Sequence, residues 1–274
     1  MDSDQTSSNP VKFGDIEYSS KQTLDSHSNN EPATESLHNR IKQLEDRVRE
    51  LEESQVDLPF PSRIKYQERL NREEFFYKAF RALSFNKISG DYVEFGSHGC
   101  STFSFAYHQA RQHRHKAHLW AFDSFQGFPD QSDKKDEHPK WIKGTMCTSL
   151  ESFERLCASS GIPEDAYTII PGFFADTLPS ISAKEPPLDI ALAYIDCDLY
   201  SSTKDVLNFL VPRLKHGMIV ALDDYYCWSA TQDSGERVAL LESLGQSDKW
   251  ELVQYVQFGW HGLSFVVLNK TKQS

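Results

Sequence analysis

The arrangement of apolar and polar positions divides the chain into three unlike stretches. Residues 1–34 are rich in Ser, Asn, Asp, Gln and Thr and show no period. So little apolar surface cannot offset the entropy of ordering, which predicts a disordered tail. At Leu37 the pattern changes: Leu37, Ile41, Leu44, Val48 and Leu51 recur at alternating spacings of four and three, with Glu45, Arg49 and Glu53 on the other side. That is a heptad seam, and it predicts a short coiled coil over residues 35–57. About two heptads are marginal alone, so the helix needs the body of the protein or a second copy of itself, which would make a homo-oligomer. Pro59 and Pro61 then interrupt it. Asn71 is the candidate N-cap of a following helix in NREEFFYKAFRALSF, with acids in its first turn.

From Gly90 onward strand-like and helix-like segments alternate. The strand candidates are DYVEFG (91–96), HLWAFD (118–123), YTIIPG (167–172), IALAYID (190–196), MIVALDD (218–224), WELVQYV (250–256) and LSFVVLN (263–269). The fourth and fifth are nearly continuous apolar runs, as central parallel strands covered on both faces require. Helical candidates lie between them: TFSFAYHQARQ, LESFERLCASSG, STKDVLNFLVPRL and ERVALLESLG. The alternation predicts one α/β domain over residues 58–274. Its sheet is doubly wound, seven-stranded and mostly parallel, and a hairpin-like pair of strands closes it.

Composition narrows the function classes. The chain has 274 residues, 39% hydrophobic and 25% charged, with 29 basic against 40 acidic side chains and a net charge of −11. No broad cationic field draws it to phosphate backbones or anionic lipid, so nucleic acid and membrane surfaces are not expected partners. No window approaches the roughly 18 apolar residues of a membrane span, and MDSDQTSSNP has neither a basic nor an apolar leader region. The expected compartment is cytoplasmic. Five cysteines, odd in number and never in a C-x-x-C pair, fit it and argue against a disulfide or zinc framework.

In a doubly wound sheet ligands bind beyond the C-terminal ends of the strands, and those ends are acidic here: Glu94, Asp123, Asp196, Asp198, Asp223 and Asp224. The first strand runs into Gly96, Ser97, His98, Gly99, Cys100 and Ser101, a turn that lets a ligand approach the backbone and offers free N–H groups at the next helix. E-x-G-x-x-G is also compatible with an ordinary tight turn. It is neither a Walker loop nor a dinucleotide fingerprint, and a carboxylate there repels a pyrophosphate. The acid suits a ligand with positive charge or hydroxyls, such as the methionine portion of S-adenosylmethionine. Asp123, ending the second strand, stands where an acid commonly binds a ribose diol.

Asp196, Asp198, Asp223 and Asp224 would repel one another in a water-poor cleft unless protons or a cation neutralised them. All-oxygen ligands favour a hard ion such as Mg²⁺. Some of these aspartates could instead cap helices, Asp198 and Asp224 most readily. His261 is a candidate to face the site, and Tyr200 or Tyr225 to line an acceptor pocket. Residues 126–148 have the make-up of a mobile lid with an exposed, charged middle and Phe128 and Trp141 available for contact.

From about Asn71 to Asn269 the motifs GDYVEFGSHGCS, FDSFQGFP, WIKG, GFFADTLP, IDCDLYSST and ALDDYY follow one another. In that order they resemble the macrocin O-methyltransferase (TylF/MycF/NovP-type) family of class I S-adenosylmethionine-dependent methyltransferases, Rossmann-like enzymes that methylate sugar hydroxyls. The resemblance implies that Glu94, Gly96 and the turn with Ser97, Gly99 and Ser101 hold the methionine part of S-adenosylmethionine. It implies that Asp123 binds the ribose with Ser124 beside it, that Asp196, Asp223 and Asp224 hold Mg²⁺, and that Asp198 is the general base, with His261 the less favoured choice. The turn departs from the family's frequent Gly-Gly pair, reading His98-Gly99-Cys100. The expected function is Mg²⁺-dependent methyl transfer to a hydroxyl of a sugar, glycosylated small molecule or glycan precursor. Two rivals stand beside it: a metal-dependent glycosyltransferase, since Asp196-Cys197-Asp198 is formally D-x-D, and a noncatalytic coiled-coil assembly protein.

Overall fold

The computed structural model describes residue 42, residues 60–131 and residues 133–272. The tail and the heptad seam lie outside the described residues, except for Lys42, which is helical. The seven strands form where the alternation placed them: β1 (Asp91–Phe95), β2 (Leu119–Asp123), β3 (Tyr167–Pro171), β4 (Ile190–Ile195), β5 (Ile219–Leu222), β6 (Trp250–Phe258) and β7 (Gly262–Asn269). Their order in the sheet is β3-β2-β1-β4-β5-β7-β6. The first five run parallel, and β7 is antiparallel to both β5 and β6, so the sheet is mixed, with the antiparallel hairpin at one edge.

The helices are α1 (Phe60–Phe85), α2 (Ser101–Gln112), α3 (Leu150–Ser159), the single-turn α4 (Phe174–Thr177), α5 (Tyr200–Leu210) and α6 (Gly235–Leu244). The period of two along the strands sorts the core into two layers. Tyr92, Leu192, Tyr194, Ile219 and Ala221 face α1, α2 and α3, whereas Val93, Phe95, Ala193, Ile195, Val220 and Leu222 face α5 and α6. Every residue of β4 and β5 is buried, which is why those two strands are apolar throughout.

The expected cap at Asn71 is corrected by the structure: α1 begins at Phe60 and Asn71 lies inside it. Pro61 falls in the first turn, where its missing N–H costs nothing. The buried face of Phe75, Phe76, Ala79, Phe80 and Leu83 anchors the other half, with Phe75 stacked on Phe258 at 4.5 Å. Each such fully buried aromatic contributes about 1.5–3 kcal/mol, enough to carry the polar first half as helix. No helix among the described residues is long and apolar enough to cross a membrane.

The sheet turns back on its own order between β1 and β4. β2 and β3 extend it on one side, and β5, β7 and β6 on the other. Chains leaving β1 and β4 diverge there, and the crevice between them is where the acidic strand ends meet.

Candidate active site

Gly96 follows β1 with φ of 89°, and a side chain there would overlap the carbonyl oxygen of Asp196, the residue after β4. Only glycine lets the two strand ends lie this close. The next residues are clamped by β2: Asp123 accepts from the Ser97 N–H at 2.7 Å and the Phe125 N–H at 2.6 Å. Burial raises the Asp123 carboxyl, and these two N–H groups temper the rise. Gly99 and Cys100, both at positive φ, then turn the chain into α2.

These elements wall a cleft of about 460 Å³, the size of a small-molecule site. Gly96, Ser101, Asp123 and Ser124 line it together with Asp196, Asp198, Asp223 and Asp224. Phe128, Met146, Phe173 and Phe174 supply an apolar side. Glu94, Ser97, Gly99 and His261 are not on the wall. Glu94 is fully buried behind it, accepting from the hydroxyls of Tyr92 and Thr102. Burial pushes its carboxyl up to about 8, with both hydroxyls acting in the opposite sense. Tyr200 and Tyr225 do not line the cleft either; the Tyr200 hydroxyl donates to Glu242 at 2.7 Å.

The four aspartates fall into unlike environments. Asp223 receives the guanidinium fork of Arg72, Nε to Oδ1 at 3.0 Å and Nη2 to Oδ2 at 2.7 Å, together with the Tyr194 hydroxyl. His261 Nδ1 lies 2.6 Å from the Asp223 carbonyl oxygen and 3.5 Å from its Oδ2. Burial works to raise this carboxyl, but Arg72 and the other donors outweigh it and hold it below the usual carboxylate range. Asp196, Asp198 and Asp224 have no such cation and are all shifted up. Burial and the neighbouring Asp223 and Asp224 raise Asp196 well above the ordinary range. Burial, Asp198 and Asp223 do the same to Asp224. Asp198 is pushed up to about 7 by burial and Asp196, tempered by hydrogen bonds to Asp224 and to the Trp141 side chain. Neither Asp198 nor Asp224 caps a helix; the Cys227 thiol donates to Asp224 at 3.1 Å.

Two groups of side chains bring ligand atoms within 4.8 Å of one another: Asp196 with Asp198 and Asp224, and Asp223 with Asp224 and His261. The first fits a hard divalent cation well, because it offers three oxygen donors with no cation bonded to them, and burial together with their mutual repulsion raises all three carboxyls, a cost that a cation would relieve. The second has already recruited Arg72.

The charged middle of the loop between β2 and α3 is largely exposed, as expected, but Asp136 and Trp141 are turned inward. Asp136 is fully buried, accepting from the Ser201 N–H in the first turn of α5 at 2.8 Å and closing a capping box with Asp133. Trp141 is 5% exposed, packed against Gly235 and bonded to Asp198. Arg72, Tyr194 and Glu236 all bear on the site and were not legible in the sequence, whereas Trp141 was expected to be available for contact there and is bonded to Asp198. Arg72 and Glu236 look like ordinary surface charges on helices.

The fold is that of class I methyltransferases. Over 72% of this chain and 79% of that chain it matches the structure of the O-methyltransferase NovP, at 25% identity and a TM-score of 0.59. It matches the calicheamicin methyltransferase CalS11 over 91% and 99% of the two chains, at 20% identity and a TM-score of 0.61. The chain belongs to the macrocin-O-methyltransferase (TylF) family, whose profile matches residues 17–244. Among curated relatives, the 8-demethyl-8-(2,3-dimethoxy-alpha-L-rhamnosyl)-tetracenomycin-C 4'-O-methyltransferase of Streptomyces olivaceus is 31% identical over 174 residues, 59% of this chain and 64% of that protein. Mycinamicin III 3''-O-methyltransferase of Micromonospora griseorubida is 30% identical over 143 residues, 48% of this chain and 54% of that protein. The chain thus spans between about half and two thirds of the length of these relatives.

Proposed function

We propose that the protein transfers a methyl group from S-adenosylmethionine to a hydroxyl of a sugar, with Mg²⁺ held at the ends of β4 and β5. The observation that carries this reading is that the glycine turn after β1, Asp123, and the converging Asp196, Asp198 and Asp224 all open into one cleft. The names of the relatives, O-methyltransferases acting on a rhamnosyl tetracenomycin and on a mycinamicin, point the same way.

Gly96 and Ser101 would take the methionine end of the cofactor, and Asp123 with Ser124 its ribose. Glu94, Ser97 and Gly99 shape that turn from behind. When bound, the cofactor supplies an electrophilic sulfonium methyl, and a divalent ion at Asp196, Asp198 and Asp224 lowers the pKa of a sugar hydroxyl beside it. Asp223 keeps its charge through Arg72 and adds to the field around those donors. Asp198 is the group on this chain suited to accept the hydroxyl proton, through the carboxylate oxygen that a cation held by its other oxygen would leave free. His261 is 4% exposed and turned onto Asp223, which makes it a support for Asp223 and leaves the base role to Asp198.

Titration of the purified protein with S-adenosylhomocysteine and with UDP-sugars tests the reading. Binding of the adenosyl compound, and loss of Mg²⁺-dependent turnover without loss of that binding in Asp196→Ala and Asp224→Ala, is the expected result. Tight binding of a UDP-sugar alone would overturn it in favour of a glycosyltransferase.

A further inference from the structure

Glu236 is completely buried in the first turn of α6. Its Oε1 accepts from the backbone N–H of Cys197 at 3.2 Å and of Asp198 at 3.3 Å, and its Oε2 from the backbone N–H of Asp224 at 3.0 Å. One carboxylate therefore ties the chain leaving β4 to the chain leaving β5, and each tied amide belongs to, or adjoins, an aspartate of the cleft. The start of α6 is wedged in place for this. Gly235 has φ of 72°, and a side chain there would lie 2.9 Å from the Trp141 ring, 3.0 Å from the Cys227 carbonyl oxygen and 3.2 Å from that of Asp198. Asp198 itself is held at φ of 58°, a conformation that persists only where its surroundings fix it.

A buried carboxylate beside three others is an expensive way to accept three N–H groups. Asp224, Asp196 and Asp198 add to burial in disfavouring the charged form of Glu236. A serine or an ordered water could satisfy one N–H each at less electrostatic cost, but neither spans two loops. With both ionised, Asp198 and Asp224 would push those loops apart, and a single two-pronged acceptor opposes the separation. We propose that Glu236 is a positioning residue that sets the spacing of Asp198 and Asp224, so that their carboxylates converge on one divalent cation. Glu236 takes no part in ligation: its oxygens face the three amides, and it is absent from the groups whose ligand atoms converge. The inference rests on the metal-dependent reading above.

The test compares wild type, Glu236→Gln and Glu236→Asp. Glutamine keeps the size but places an NH₂ group against one of the two loops, donor facing donor; aspartate keeps the charge but is one methylene too short to reach both. Mn²⁺ is titrated by electron paramagnetic resonance, S-adenosylhomocysteine by calorimetry, and folding is followed by thermal melting. The expected result is a folded Glu236→Gln protein whose Mn²⁺ affinity falls about 10- to 100-fold, as for other residues that orient metal ligands, with S-adenosylhomocysteine affinity within about threefold of wild type. Glu236→Asp should fall between the two. Wild-type Mn²⁺ affinity in both variants would overturn the proposal. So would a parallel loss of metal, adenosyl compound and folding in both, which would make Glu236 a folding residue. If wild type itself binds the adenosyl compound but no Mn²⁺, the metal-dependent reading fails, and that is seen before any variant is compared.

Discussion

A methyl group on Gly96 would overlap the Asp196 carbonyl, so Gly96→Ala has to separate β1 from β4 or distort the turn. Such overpacking at a positive φ should cost about 2–4 kcal/mol, read as a lower melting temperature together with loss of S-adenosylhomocysteine binding. Unchanged melting would show that the strand ends have more room than this packing allows. Glu94 carries a pH dependence whose sign follows from its environment. Its carboxyl lies at about 8 in the folded protein against 4.5 for a free side chain, so between those values the folded state holds a proton that the unfolded state has released. Stability should therefore fall as pH rises through that window. Glu94→Gln, which keeps partners for Tyr92 and Thr102, should lose that contribution and melt at least about 4 °C higher relative to wild type at about pH 8.5 than at about pH 6. Equal slopes for the two proteins would refute this. The acids at the strand ends were visible from sequence because strand boundaries were. Their division of labour was not, because it depends on Arg72, which reaches Asp223 from 151 residues away in the chain.

At the scale of elements, β4 and β5 were the most legible pieces, since strands buried on both faces leave nothing polar to confuse the period. The start of α1 was misplaced at Asn71 because a polar run with a good cap residue looks like a beginning, and only the tertiary anchor at Phe75 to Leu83 extends the helix back to Phe60. The loop between β2 and α3 shows the same limit. A run such as Asp133-Lys134-Lys135-Asp136-Glu137 has the composition of a solvated surface, and nothing in it marks Asp136 as the carboxylate that enters the first turn of α5. Asp136→Ala leaves the Ser201 N–H without that acceptor, a loss of about 1 kcal/mol on the scale of helix caps. Its larger effect should be local: faster proteolysis within residues 126–148 and a raised KM for the acceptor, with S-adenosylhomocysteine affinity little changed. Protease resistance equal to wild type would mean that the loop is held by other contacts.

For the molecule as a whole, the acidic side chains behind the formal net charge of −11 have one concentrated cluster where β1, β4 and β5 meet. Asp196, Asp198, Asp223, Asp224 and Glu236 are packed there with Arg72 as the cation on Asp223. A fold maintains such a concentration of buried carboxyl groups at a cost, and the proposed cation site gives it a use. The doubly wound topology was legible because alternation of strand and helix is a property of the chain itself. The closure of the site was not, because Glu236 and Trp141 act across the fold on residues that sequence places far from them. Methyl transfer itself is the most direct test. Labelled S-adenosylmethionine with Mg²⁺ and a panel of sugar acceptors should yield an O-methylated sugar with wild-type protein, and at least about 100-fold less with Asp198→Asn, while both proteins bind S-adenosylhomocysteine alike. Undiminished transfer by Asp198→Asn, or adenosyl binding with no transfer to any sugar hydroxyl, would contradict it.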